Sequence, residues 1–545
     1  MGAEKIIIIG LDGATFDVIK PLIAEGRLPN VKRLMDNGVW GELTSTIHPI
    51  TPQAWTTFLT GTNAGKHGIY DFTRRRKDSY TIEFVNASYR RGESIFNILG
   101  MAGKRVGAVA IPFTFPPERV NGFMLSGMDA PSEDERSVFP PHIFNDIKRN
   151  IGKYYIHLGS PVGRRYDLAG YLNDLAKEDK NRTDVSLFLM KKHPCELFMA
   201  VYNNIDRAQH QFFTEERFDG VSGIEIINRI YEQADKEIGR LLSEIDDGTT
   251  VIIMSDHGAG PIKKFFSLNL WLNKNGFLEY SGKDSLRMQL LGKGRTACKR
   301  LLPRWAKNFI KVNMPGARDN LESMLYFSDI NWRQTKAYSM GMYGNIWINL
   351  KGREPEGVVE RKDYEAIRDE IIGKLTILRD PETGESVIEK IYRREELYRG
   401  EFVDNAPDLI IGWKDYSYYT SIVQGKEQGD YFKPVPNIDS SDYKHVGTHR
   451  VNGIFIASGK NVKKGEAVSG IRIEDIAPTV LFLFDQPVPT VMDGRVLHEI
   501  LEDGSYGNNK PTYIELQGKK AGEEFNYSDT EANSVRERLK ALGYL

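Results

Sequence analysis

Asp206 and His210 stand four residues apart, a spacing that on a helical turn sets a carboxylate and an imidazole on one face, where they can share an ion. Asp256 and His257 are adjacent and follow the apolar run Thr249–Met254. In an extended strand they would point to opposite faces, so both can serve one site only if the chain turns, which Gly258 and Gly260 permit. His449 lies in Gly447-Thr448-His449-Arg450, read as a loop ahead of the strand-like Gly453–Ser458. A single Asp/His pair is more often an ordinary polar contact. Three acidic strand-end positions, two with histidine, together with a looped histidine are harder to assign to chance. Thr51 precedes Pro52, which reads as a helix start with Thr as the cap, followed by a short helix over Gln53–Thr60 that closes at Gly61. A hydroxyl there faces free backbone N–H groups and the positive end of the helix dipole, which also suits a phosphate. Capping is the commoner role for such a threonine.

The elements that must position these groups are legible as apolar runs. Lys5–Leu11, Arg105–Ile111, Leu197–Tyr202 and Thr249–Met254 predict buried strands, and Asp17–Gly38 and Glu225–Leu242 carry helical periodicity. Strand and helix in alternation predict an α/β fold whose mostly parallel sheet is covered on both faces. In such sheets ligands bind outside the carboxyl ends of the strands. Asp12 follows the first of these strands, Asp206 the third and Asp256 the fourth, so three carboxylates arrive at one edge.

Composition narrows the classes. The chain has 545 residues, 73 basic against 74 acidic side chains, 40% hydrophobic and 27% charged residues. A sizeable core can form, and a dedicated nucleic-acid binder is disfavoured by the near-zero charge. Two cysteines, Cys195 and Cys298, allow neither a disulfide scaffold nor a Cys-rich zinc module. No run approaches the ~18 apolar residues of a spanning helix, and the start has no signal-like segment, so the expectation is a soluble, cytoplasmic chain.

The ordered set resembles the alkaline phosphatase superfamily, and within it the type I phosphodiesterase/nucleotide pyrophosphatase group. The resemblance is carried by Gly10-Leu-Asp12-Gly, Thr51 nine residues before Thr60-Gly61, Lys66-His67-Gly68-Ile69, Asp206-x3-His210, Ser255-Asp256-His257-Gly258 and Gly447-Thr448-His449. Asp475-Ile-Ala-Pro-Thr-Val-Leu and Met492-Asp-Gly-Arg-Val-Leu continue it to about residue 500. It implies a three-layer α/β/α core with an inserted cap, and two divalent ions, Zn²⁺ by donor type with Mn²⁺ or Fe²⁺ as the alternatives. Asp206, His210 and His449 would hold one ion; Asp12, Asp256, His257 and the Thr51 oxygen the other. Thr51 would be the nucleophile in hydrolysis of a phosphodiester or pyrophosphate bond, with a phosphothreonine intermediate, and His67 would brace its loop. The implied partner is a small anionic phosphate ester.

One departure stands out. The Asn that in this group follows His-Gly-Ile and helps to hold the phosphoryl oxygen is replaced by Phe72, so nucleotide substrates do not follow from the resemblance. Arg74, Arg75 and Arg76 follow directly and are candidate substrate contacts or a solvated basic loop. A phosphomonoesterase or phosphoglycerate-mutase-like phosphotransferase is the nearest rival; a metal-binding adaptor acting through its basic insert is the rival of another class. The expected organisation is a discontinuous catalytic core, 1–262 and 330–502, a basic cap at 263–329, and a polar tail at 503–545 with a short helix over Glu531–Leu542. Within the cap, 283–318 carries ten Lys/Arg against one acidic residue, suited to gathering anionic substrate or meeting an anionic surface.

Overall fold

Ile6–Leu11 is apolar at every position because both faces of the sheet it enters are covered. In the computed structural model, which describes residues 3–158, 168–281, 327, 329–420, 429–435, 445–504, 510–516 and 524–542, this strand lies near the middle of a ten-stranded sheet. Its strands in chain order are β1 (Ile6–Leu11), β2 (Gly38–Thr44), β3 (Val106–Ile111), β4 (Gly122–Ser126), β5 (Val138–Phe139), β6 (Leu197–Tyr202), β7 (Thr250–Met254), β8 (Asn452–Ser458), β9 (Glu466–Ala467) and β10 (Ile471–Arg472). They run β9-β2-β8-β7-β1-β6-β3-β4-β5, with β10 also on β2. The stretch β7-β1-β6-β3-β4 is parallel throughout, and Gly10 of β1 is in register with Met254 and Val201 on either side. β8 runs antiparallel to both β7 and β2.

Alternate residues of one strand feed two separate cores. Ile7, Ile9 and Leu11 pack with the helices Phe16–Ala24, Pro29–Asp36, Leu168–Lys192, Asn204–Phe212 and Gly223–Leu242. Ile6 and Ile8 pack on the opposite face with Thr51–Thr60, Ile95–Met101 and Ile476–Leu483. These are the three layers of an α/β/α core. The helix expected over Asp17–Gly38 is two helices, broken ahead of Pro29, which starts the second.

After Met254 the chain leaves this sheet, and among the described residues the next strand in it is β8. Ala337–Met340 and Asn345–Ile348, expected with the core from residue 330, instead pair with Leu409–Trp413 and Ile388–Arg393 in a separate four-stranded antiparallel sheet. The connection between the first two explains this. Four residues separate them, with Gly341 at φ +84° and Gly344 at φ +91°, so the turn commits them to a hairpin, whereas a parallel strand needs a long crossover. Phe266, Trp271, Tyr338, Ile346 and Trp413 form a core of this unit's own. The basic stretch 283–318 lies outside the described residues.

The tail helix spans Asp529–Leu542 and docks. Val535, Leu539 and Leu542 are buried with Ile50, Phe72, Phe113 and Tyr343. Among the described residues no helix is long and apolar enough to cross a membrane.

Candidate metal centre and nucleophile

The predicted ligands converge at the carboxyl edge of the sheet. Asp12 directly follows β1, and its N–H bonds the Tyr202 carbonyl at the end of β6. Asn203, next in the chain, donates to Asp12 Oδ2 at 2.8 Å. Asp206 and His210 share a face of the helix Asn204–Phe212, as their spacing requires. Past β7 the chain bends at Ser255–His257 and forms a short strand, Gly258–Pro261, paired antiparallel with Gly447–Arg450 so that Ala259 faces His449. His449 therefore sits in a strand, not in the expected loop. Gly258 and Gly260 have ordinary negative φ, and their role is close approach. A Cβ at 258 would fall 2.1 Å from the Asn452 carbonyl oxygen, and one at 260 would meet the Arg450 guanidinium at 2.7 Å. Gly13 does need its conformational freedom: it turns the chain at φ +69°, its N–H reaches Asp256 Oδ1 at 3.3 Å, and a Cβ there would strike Asp206.

Asp12, Thr51, Asp206, His210, Asp256, His257 and His449 are all at most 2% exposed. His210 Nε2 lies 3.2 Å from Asp206 Oδ2, and His449 Nε2 lies 3.5 Å from Asp206 Oδ1. The two Nε2 atoms are 3.0 Å apart. His257 Nε2 is 3.3 Å from Asp256 Oδ2, 3.7 Å from Asp12 Oδ1 and 3.3 Å from Thr51 Oγ1. Two groups have ligand atoms spaced for an ion: Asp206 with His210 and His449, and Asp12 with Asp206 and His257. Asp206 thus stands between the two positions, with Asp256 beside the second.

Three carboxylates buried together cannot all ionise without cations. Burial, and then the Asp206 charge, push the Asp12 carboxyl up to about 8. Burial followed by Asp12 and Asp206 raise Asp256 well above the usual carboxylate range. Burial also opposes the charge of Asp206, but His210, His449 and His257 around it more than offset that and hold it below its ordinary value. Asp12 Oδ1 and Asp256 Oδ2 are buried without a hydrogen-bond partner. Orphaned buried acceptors facing imidazole nitrogens are the donor set a divalent ion satisfies, and oxygen and nitrogen ligands without thiolate suit Zn²⁺ or Mn²⁺.

Thr51 is the first residue of its helix, while Ile50, extended at φ −119°, occupies the cap position. The Thr51 hydroxyl is therefore not used in capping, and Oγ1 faces His257. The helix ends at Gly61 in the left-handed conformation, as expected.

His67 lies behind the helix Thr51–Thr60. Its Nε2 is 3.0 Å from Thr57 Oγ1 and its Nδ1 accepts from the Ile69 N–H at 3.2 Å. Arg74 and Arg75 belong to a hairpin, Thr73–Arg75 with Ile82–Phe84, and all three arginines are matched to carboxylates: Arg74 to Glu83 and Glu524, Arg75 to Glu354, Arg76 to Glu83. Their charges are balanced within the fold. Phe72, where a donor was expected, is buried against Phe113 at 5.6 Å. Sequence reasoning missed three residues that close around the ligands. Tyr343 stacks on His449 at 5.4 Å, and His445 lies between His210 at 4.3 Å and Tyr419 at 4.8 Å. His445 and His449 are four apart, a signal available in the sequence but set in a segment with no periodicity of its own.

Residues 6–451 match the family described as type I phosphodiesterase / nucleotide pyrophosphatase. The chain belongs to this family, within the alkaline phosphatase superfamily, and is a metal-dependent phosphoester hydrolase. In fold it is similar to phosphonoacetate hydrolase from Sinorhizobium meliloti 1021, solved in complex with phosphonoformate, at 13% identity and a TM-score of 0.51 over 89% of this chain and 96% of that one. It is likewise similar to murine ectonucleotide pyrophosphatase / phosphodiesterase 5, solved as an inactive form in complex with AMP, at 12% identity and a TM-score of 0.51 over 92% of this chain and all of the other. No curated protein sequence matches the chain.

Proposed function

We propose that the protein hydrolyses a phosphodiester or pyrophosphate bond by two displacements through a phosphothreonine at Thr51. The observation that carries this reading is the Thr51 hydroxyl, buried, released from capping and 3.3 Å from His257 at the start of a helix. In the first displacement a bond forms between Thr51 Oγ1 and phosphorus, the bond to the leaving oxygen breaks with its electron pair, and the hydroxyl proton departs to that oxygen or to solvent. In the second, water oxygen bonds phosphorus, the Oγ1–phosphorus bond breaks, and a proton from that water restores the hydroxyl. No side chain caps the first turn of this helix, so its backbone N–H groups are available to the phosphoryl oxygens. Asp206, His210 and His449 would hold one divalent ion, and Asp12, Asp256, His257 and Thr51 the other, with Asp206 between them. Zn²⁺ fits these donors, and Mn²⁺ is the second choice. Bound there, two ions lower the pKa of the hydroxyl and neutralise charge on the phosphoryl group.

The basic stretch 283–318 is read as gathering anionic substrate. Reversing Lys299, Arg300 and Arg304 to Glu is expected to raise KM for an anionic diester at low ionic strength; an unchanged KM removes that role.

Parallel assays of a bis-aryl phosphodiester, an aryl phosphomonoester and a nucleotide sugar, each with Zn²⁺ and with Mn²⁺, test the reading. Diester or pyrophosphate turnover is expected to dominate. Dominant monoester hydrolysis would replace it with a phosphatase or mutase-like assignment.

A further inference from the structure

Asn203 stands at the cap position of the helix Asn204–Phe212, which carries Asp206 and His210. An asparagine there ordinarily turns its side-chain oxygen back onto the N–H groups of the first turn. This one makes no such bond. Its oxygen accepts from Arg182 Nη1 at 3.1 Å, and its amide nitrogen donates to Asp12 Oδ2 at 2.8 Å. Both polar ends of a buried side chain are therefore turned away from its own helix.

The direction of the amide is forced. A guanidinium only donates, so the end facing Arg182 is the oxygen and the end facing Asp12 is the NH₂ group. Arg182 is itself held in place. It reaches from the helix Leu168–Lys192, its Nη1 also donates to the Val201 carbonyl at 2.8 Å, and its Nη2 meets Glu178 at 3.2 Å. Arg182 and Glu178 are both 1% exposed, so the support beneath the amide is a desolvated, charge-assisted pair. The consequence falls on Asp12. With Oδ2 taken by the amide, the oxygen left without a partner is Oδ1, which lies 3.7 Å from His257 Nε2. Asp256 is arranged alike: the Gly13 N–H reaches Oδ1, and unbonded Oδ2 lies 3.3 Å from the same imidazole nitrogen. One carboxylate is thus oriented by the backbone and the other by a side chain.

We propose that Asn203 is a positioning residue of the metal centre. Its amide holds Asp12 Oδ2 so that Oδ1 alone is offered to the ion shared with His257, and Arg182 fixes which way the amide points. This rests on the two-ion reading above. Hydrogen-bond partners of this kind orient a ligand carboxylate, and losing one lowers metal affinity by ~10–100-fold. The loss falls on the position to which Asp12 belongs and spares the Asp206–His210–His449 position, which Asn203 does not touch.

Titration of the metal-stripped full-length protein with Co²⁺, followed by visible absorption and equilibrium dialysis, tests this together with thermal melts of the stripped and loaded forms. The wild type is expected to bind two ions. Asn203→Leu, close in size and without polar ends, is expected to weaken one of them by ~10–100-fold and shift its absorption band, leaving the other unchanged. It should also lose part of the rise in Tm that Co²⁺ gives the wild type. A residue that only supports the fold would instead lower the stripped and loaded melts alike. Asn203→Ser restores a capping side chain too short to bridge Arg182 and Asp12, and is expected to lose the same affinity with the fold intact. Two ions bound with wild-type affinity and spectrum, and the full rise in Tm, in both variants would overturn the role of Asn203 alone. Fewer than two ions in the wild type would overturn the two-ion reading beneath it.

Discussion

The role proposed for Thr51 depends on the residue before it. Because extended Ile50 takes the cap position, the threonine oxygen is left to face His257 instead of closing its own helix. Thr51→Ala is therefore expected to keep the metal content of the wild type and to lower kcat by ~10³-fold or more, with Thr51→Ser retaining part of it. Metal analysis beside turnover of an aryl phosphodiester checks both halves. His67 and His48 give a separate expectation for stability. Burial, and then the Arg90 charge, push His67 down to about 3, and burial does the same to His48 against its bond to Asn345. Both are neutral in the fold and titrate near 6.5 when unfolded, so the unfolded chain binds more protons between about 3 and 6.5. The contribution of these two histidines to stability should be full above pH 6.5 and be lost as pH drops through that window; His67→Gln should reduce that loss in denaturant melts compared with the wild type. At this scale the ligand types were legible, because carboxylate and imidazole at strand ends have few other uses when several coincide. Their division between two positions came from the family resemblance and not from the residues, and it did not anticipate that Asp206 also groups with Asp12 and His257, which follows from how its helix meets the sheet.

The ribbon of Gly258–Pro261 with Gly447–Arg450 brings His257 and His449 together, their rings stacked at 3.6 Å. Arg450 ties it down, donating to the carbonyls of Pro261, His449 and Tyr416. Gly258→Ala would set a Cβ 2.1 Å from the Asn452 carbonyl. It should destabilise the protein by about 2–3 kcal/mol and lower bound metal, read by thermal melts and metal analysis. An unchanged melt and full metal content would show that the ribbon yields at no cost. The long strands were readable as continuous apolar runs. The strand Gly447–Arg450 was not: Gly-Thr-His-Arg has no alternation, and it is a strand only because Gly258–Pro261 lies beside it.

Across the whole molecule, distant chain segments close on one edge of the sheet. The inserted unit brings Tyr343 and Tyr419 to the centre, and the tail helix packs Val535, Leu539 and Leu542 into the same apolar cluster as Ile50. Arg538 anchors that helix to the carbonyls of Met128 and Ala130, and Glu531 pairs with Arg136. Leu539→Ala should cost about 2–4 kcal/mol, a loss seen in denaturant unfolding; a cost near zero would mean that the tail contributes little to the folded state. The α/β alternation made the central sheet legible in outline. The second sheet was not, because its strands look the same whether they join a parallel sheet or pair with one another, and only the turn at Gly341–Gly344 decides between them. The charge-matched Arg74, Arg75 and Arg76 are a lesson of the same kind, since their carboxylate partners Glu354 and Glu524 come from far along the chain. All these segments converge on a hydroxyl at Thr51, and the covalent step assigned to it is the central claim. Rapid acid quench of the wild type during turnover of a phosphorus-labelled aryl diester, followed by peptide mapping, tests it most directly. The label should appear on the peptide that contains Thr51 and be absent from Thr51→Ala. Turnover with no trapped label, or label on another residue, would contradict it.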